Sequence, residues 1–221
     1  MNKTSARLFG IFFLFSFLSY ALGTGLMATV QDPASLPDDI VRNKGQIVFG
    51  GILIVLFHTL FNLSLLVIMF NAVKYVNYTL SALYMAFGAF GTLLLASGAV
   101  FLLLPVSVSE NTGQSERADP LYFQTILSVC SNGNFYAYQL GMTAWGIAGI
   151  LLCGLLYRSK LVPVFFPVWG LTGYLIFITG TLLEVFGYPY GMLLSVPGGL
   201  FEIALSVRLI FRGFSPVRNT V

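Results

Sequence analysis

The sequence predicts an all-α polytopic membrane protein: a bundle of six transmembrane helices with cytoplasmic termini and a short interfacial helix near 120–131. Three observations lead there. Charged residues make up only 9% of the chain against 57% hydrophobic, and the mean hydropathy is +0.87. A soluble domain carries about a quarter charged residues, so a water-soluble globular protein is excluded. Second, six apolar stretches reach the roughly 20 residues that a helix needs to cross about 30 Å of hydrocarbon. Third, lysine and arginine gather on alternate connections. The stretches lack the period-2 alternation of a membrane barrel, and open strands cannot satisfy their backbone in lipid.

The six spans are Leu8–Thr29, Gln46–Phe70, Tyr78–Leu104, Phe135–Tyr157, Leu161–Leu183 and Tyr188–Phe211. The first follows Lys3 and Arg7 but is long for the apolar region of a signal peptide, so it is read as retained. Orientation follows the basic residues. One side collects eight: Lys3, Arg7, Lys74, Arg158, Lys160, Arg208, Arg212 and Arg218. The other has three, Arg42, Lys44 and Arg117, diluted by Asp32, Asp38, Asp39, Glu110, Glu116 and Asp119. Both termini are therefore expected in the cytoplasm, and the protein in the cell (cytoplasmic) membrane.

Short connections near Asn71–Asn77 and Arg158–Lys160 fall inside, while the longer Gln31–Gly45 and Pro105–Asn134 fall outside. In the latter, Asp119-Pro120 reads as an N-cap followed by proline at the first helical position. Leu121, Phe123, Ile126, Leu127 and Cys130 give that helix an apolar face before Asn132-Gly133 ends it. With no internal repeat or low-complexity tract, residues 1–221 are expected to form a single six-helix domain.

Ionisable residues inside spans default to functional hypotheses. His58 lies near the middle of span two with Asn62 one turn on, Glu202 near the middle of span six, and Glu184 at the end of span five. At about 1.5 Å per residue, His58 is roughly 18 Å deep and Glu202 roughly 21 Å, compatible with contact if their helices are neighbours. Arg208 is close enough to the cytoplasm to snorkel.

Small and polar residues form stripes at helical spacing. Span six aligns Gly191, Ser195, Gly198, Glu202 and Ser206, and span two aligns Gly51, His58 and Asn62. Span three aligns Ser81, Tyr84, Gly88, Gly91 and Gly98. Span four aligns Gln139, Thr143, Gly146 and Cys153, and span five Gly173, Gly180, Glu184 and Gly187. Two readings stay open: helix-packing seams, or the lining of a polar cavity holding Glu202 and His58. The polar intramembrane candidates are Glu202, His58, Asn62, Gln139 and Glu184.

Residue counting removes many chemistries. The four lysines, Lys3, Lys44, Lys74 and Lys160, lie outside spans or at their margins, which excludes a retinal Schiff base. One histidine cannot supply bis-histidine haem, and no Cys-x-x-Cys-His run is present. His58 begins His-Thr-Leu-Phe-Asn, not a zinc-binding His-Glu-x-x-His. No span contains aspartate, and no Gly-x-Ser-x-Gly elbow or phosphate loop occurs. Cys130 and Cys153, about 23 positions apart and so roughly 35 Å along a helix, should not bridge. No catalytic residue, metal or cofactor is expected.

The net charge of +3 gives no case for nucleic acid. Membrane lipids are the expected partners, and a hydrophobic small-molecule ligand is compatible with the bundle. The aromatic residues include expected interface anchors such as Tyr157, Trp169, Tyr188 and Tyr190.

Three segments carry a family resemblance. Ser5-Ala6-Arg7-Leu8-Phe9-Gly10 leads into the first span. Leu156-Tyr157-Arg158-Ser159-Lys160-Leu161-Val162-Pro163 precedes Val168-Trp169-Gly170-Leu171. The end runs Pro197, Glu202, then Leu209-Ile210-Phe211-Arg212-Gly213-Phe214. Together they resemble a bacterial family of multi-pass membrane proteins known as domain of unknown function 4386, over most of the chain and best from Leu155 to Phe214. The resemblance implies a six-helix bacterial membrane protein without an assigned activity, and matches Glu202 to the family's glutamate in the last helix. It also implies a departure: Gly88-x-x-Gly91 stands where the family's third helix often carries Arg-x-x-Glu.

The expected function is therefore a non-catalytic accessory, sensory or lipid-associated membrane protein with a polar seam centred on Glu202. A small proton-linked transporter using Glu202 and His58 is the alternative. A membrane enzyme acting on a lipid or quinone is the third reading.

Overall fold

The computed structural model describes residues 3–112 and 120–215. All regular structure among them is helical: α1 Lys3–Leu26, α2 Ala28–Gln31, α3 Pro37–Arg42, α4 Lys44–Ile52, α5 Thr59–Val73, α6 Tyr78–Thr112, α7 Pro120–Ser159, α8 Phe165–Val185 and α9 Gly191–Arg212. A π-helical segment, Leu53–His58, joins α4 to α5. The protein is an all-α polytopic bundle, with six helices long and apolar enough to cross a membrane.

Local chemistry accounts for several boundaries. Asn77 caps α6, its Oδ1 accepting the Leu80 amide at 3.0 Å. Pro37 opens α3, and Asp39 in its first turn accepts the Leu36 amide at 3.2 Å. Helix α9 stops at Gly213, whose φ of 70° continues the chain in a conformation that an L side chain resists.

Packing gathers into two compact units. The first comprises residues 1–16, 60–92 and 139–221, and the second 17–59 and 93–138. Phe9, Leu65, Leu66, Met69, Leu155 and Phe201 are wholly buried in the core of the first unit. Met27, Val30, Ile40, Ile47, Leu102 and Phe123 fill that of the second.

One expectation needs correction. The segment near 120–131 is not a separate interfacial helix but the opening of the continuous helix α7. Its beginning at Pro120 agrees with the sequence reading, while Asp119 lies outside the described residues. Asn132-Gly133 does not end it, because Gly133 sits in the helix against the Phe101 ring, 2.9 Å from where a Cβ would stand. Phe123, Leu127 and Cys130, at spacings of four and three, are buried on one face, whereas Leu121 is 70% exposed. Burial of that face in the second core carries the helix through its Asn-Gly step.

Candidate functional site

Glu202 sits in mid-α9, only 7% exposed. Three helices of the first unit meet at its carboxyl. Helices α8 and α9 approach closely where Gly173 faces Gly198, a Cβ at 173 falling 3.1 Å from the Gly198 Cα. That approach lets Tyr174, the next residue of α8, reach Glu202, one turn beyond Gly198. The Tyr174 hydroxyl donates to Glu202 Oε1 at 2.6 Å. From α7, the Trp145 indole Nε1–H donates to the same oxygen at 2.9 Å. No described residue donates to Oε2.

The surroundings hold both donors in place. Gly149, one turn beyond Trp145, leaves the space that the Tyr174 ring occupies, and a Cβ there would overlap it. Gly170 likewise makes room for Phe201 and the Cys153 thiol. The Phe13 ring meets Trp145 edge-on at 6.2 Å, and Tyr174 meets Phe201 at 5.8 Å. Tyr84 and Cys153, both buried, lie within electrostatic range of the carboxyl. Below Glu202, Ser206 Oγ donates to the Glu202 backbone carbonyl at 2.8 Å.

Chemically, this is a carboxyl held by two donors, an indole and a phenol, from separate helices. The two bonds share one acceptor, which fixes the carboxyl's orientation. No group of three or more metal-ligating side chains exists among the described residues.

The other sequence candidates fall into separate surroundings. Glu184 is a helix cap: its Oε1 accepts the amide of Gly191, the first residue of α9, at 2.9 Å. It thus satisfies one of the orphan amides of that helix from the end of the preceding one. Gln139 is buried, and its backbone carbonyl accepts Thr143 Oγ1 at 2.9 Å. Thr143 also meets Thr181 of α8 through a hydroxyl pair at 2.8 Å. Asn62 is buried in α5. In the second unit, His58 closes the π-helical segment with its ring 5.0 Å from that of Tyr20, which lies 5.9 Å from Tyr138.

Trp145 and Tyr174 escaped the sequence reading, which singled out Tyr157, Trp169, Tyr188 and Tyr190 as interface anchors and Tyr84 in a small-residue stripe. One signal pointed to them. Each adjoins a glycine of a small-residue stripe, Gly146 or Gly173, and neither stands at the end of its span.

A family model described as "Domain of unknown function (DUF4386)" matches residues 8–213. No curated protein and no solved structure gave a significant match.

Proposed function

The chain belongs to the DUF4386 family, and from that premise we propose a non-catalytic membrane protein, accessory, sensory or lipid-associated in kind. We place it in a bacterial cytoplasmic membrane with both termini cytoplasmic, on the distribution of its basic residues and on the bacterial family it resembles. In this reading Glu202 joins helices and does not react. The observation that carries it is the convergence of Trp145 and Tyr174 on one carboxyl oxygen. Both neighbours donate to the carboxyl from separate helices, which supports its reading as a junction of α7, α8 and α9.

The test is a pair of variants of the full chain reconstituted in liposomes. Glu202→Gln keeps an acceptor for both donors and should preserve folding and cellular function, while Glu202→Leu should destabilise the protein and impair its function. A proton flux that disappears in a well-folded Glu202→Gln protein would overturn the reading. It would establish instead the small proton-linked transporter. That second reading is favoured by one observation, the absence of a hydrogen bond from any described residue to Glu202 Oε2.

A further inference from the structure

We propose that the cationic end of the first unit, carrying Lys3, Arg7, Arg158, Lys160 and Arg212, is a binding surface for anionic phospholipid headgroups. The inference rests on the lipid-associated reading above and names the lipid class.

Contacts within the unit bring these residues to one end. Arg7 Nε donates to the Ile210 carbonyl at 3.2 Å, joining the start of α1 to the end of α9. The Ser215 amide donates to the Leu161 carbonyl at 2.7 Å, joining the chain beyond α9 to the connection after α7. All five cations are exposed. The unit's acids are Glu184 and Glu202 alone. The first caps the opposite end of α9 and the second lies ten residues before Arg212, about 15 Å along the helix. No cation of this end pairs with a carboxylate among the described residues; the ion pair found there, Lys44–Glu110, belongs to the second unit.

Helix dipoles do not explain the cluster. They favour cations at the C-terminal ends of α7 and α9, but disfavour Lys3 and Arg7 at the N-terminal end of α1. The charges follow the end of the unit and not the polarity of each helix. Nor does tail-holding explain them. Arg208 performs that task, donating to the Gly213 carbonyl at 3.0 Å and to Ser215 Oγ at 3.2 Å.

Lys160 adds an independent observation. It is the one non-glycine residue with positive φ, 52°, among the described residues. Glycine is the default there, so a strained lysine keeps its charge at the expense of backbone comfort. Tyr157, Phe165 and Phe211 are exposed beside the cluster. Of these, the amphipathic Tyr157 ring at the end of an apolar helix marks the headgroup level, which makes lipid phosphate the fitting partner.

The test is binding of fluorescent phosphatidylglycerol to the full-length protein in neutral detergent, with phosphatidylcholine as comparison. Phosphatidylglycerol should bind more tightly, and less so as salt rises. Each charge removed should weaken it about fivefold. Lys160→Gly is the decisive variant, because it relieves the backbone while deleting the charge. With Arg158→Gln and Arg212→Gln added, the preference should fall about a hundredfold. Lys44→Gln in the second unit should leave it unchanged. Equal binding of both lipids, a preference surviving the triple variant, or stronger displacement by polyglutamate than by phosphatidylglycerol would overturn the proposal. None of these variants touches the Glu202 cluster, so failure here leaves the non-catalytic reading standing on its own test.

Discussion

In the first unit the central polar side chain is bonded across helices, Glu202 taking one hydrogen bond from α7 and another from α8. In the second unit His58 closes a π-helical turn and stacks at a tilt against Tyr20. A carboxyl in an apolar bundle needs donors, because desolvation costs an unpaired charge far more than an imidazole. An imidazole can present a ring face to another ring and gain from the contact. In the first unit two helices converge on one oxygen of the carboxyl, so the first should depend more steeply on single atoms.

Removing the shared acceptor should break that contrast hardest. Glu202→Leu leaves the Tyr174 hydroxyl and the Trp145 indole without their partner, and should cost roughly 2–3 kcal/mol in thermal unfolding. Glu202→Gln should cost less than about 1 kcal/mol. Equal losses in both variants would mean that charge, and not the acceptor atom, holds the three helices.

Gly149→Ala is the next largest. The added methyl would overlap the Tyr174 ring, and such overpacking costs about 1–3 kcal/mol. Replacing Tyr174 by Leu in the same chain should recover part of that loss, a non-additivity that thermal unfolding of the double variant would reveal. In the second unit, Tyr20→Leu removes ring contacts with His58 and Tyr138 and a side-chain hydrogen bond with Thr24, and should cost about 1–2 kcal/mol. A cost above that of Glu202→Leu would reverse the comparison.

How much of this the sequence reveals depends on whether the signal is local. The spans are legible because apolar length is a local property, and Glu202 stands out because a carboxyl inside such a run is rare. Its partners are not legible in the same way. Trp145 and Tyr174 become donors through the packing of α7 and α8 against α9, and the same residue types also serve as interface anchors. The π-helical segment Leu53–His58 reads as ordinary apolar helix, with no proline or glycine inside it. Gly133 misleads in the other direction, since a glycine that admits the Phe101 ring looks the same as one that ends a helix. Glu184 is found at the expected end of its span, but its capping of α9 depends on the turn between the two helices.

The smallest expected effect concerns charge at the surface. In the second unit Lys44 and Glu110 form an ion pair, each side chain about half exposed at 49% and 43%. Exposed pairs contribute about 0.2–1 kcal/mol, and salt screens them. Lys44→Gln should therefore lower stability by no more than that in dilute buffer and by nothing measurable at about 1 M salt, where the screening length is about 3 Å. Lys160→Gly in the first unit should do the opposite, holding or raising stability by up to about 1 kcal/mol at either salt, because it relieves a strained backbone and breaks no pair. The two lysines thus separate a charge kept for a partner within the chain from a charge kept for one outside it. A salt-dependent loss in Lys160→Gly would place its partner inside the protein and erase the distinction.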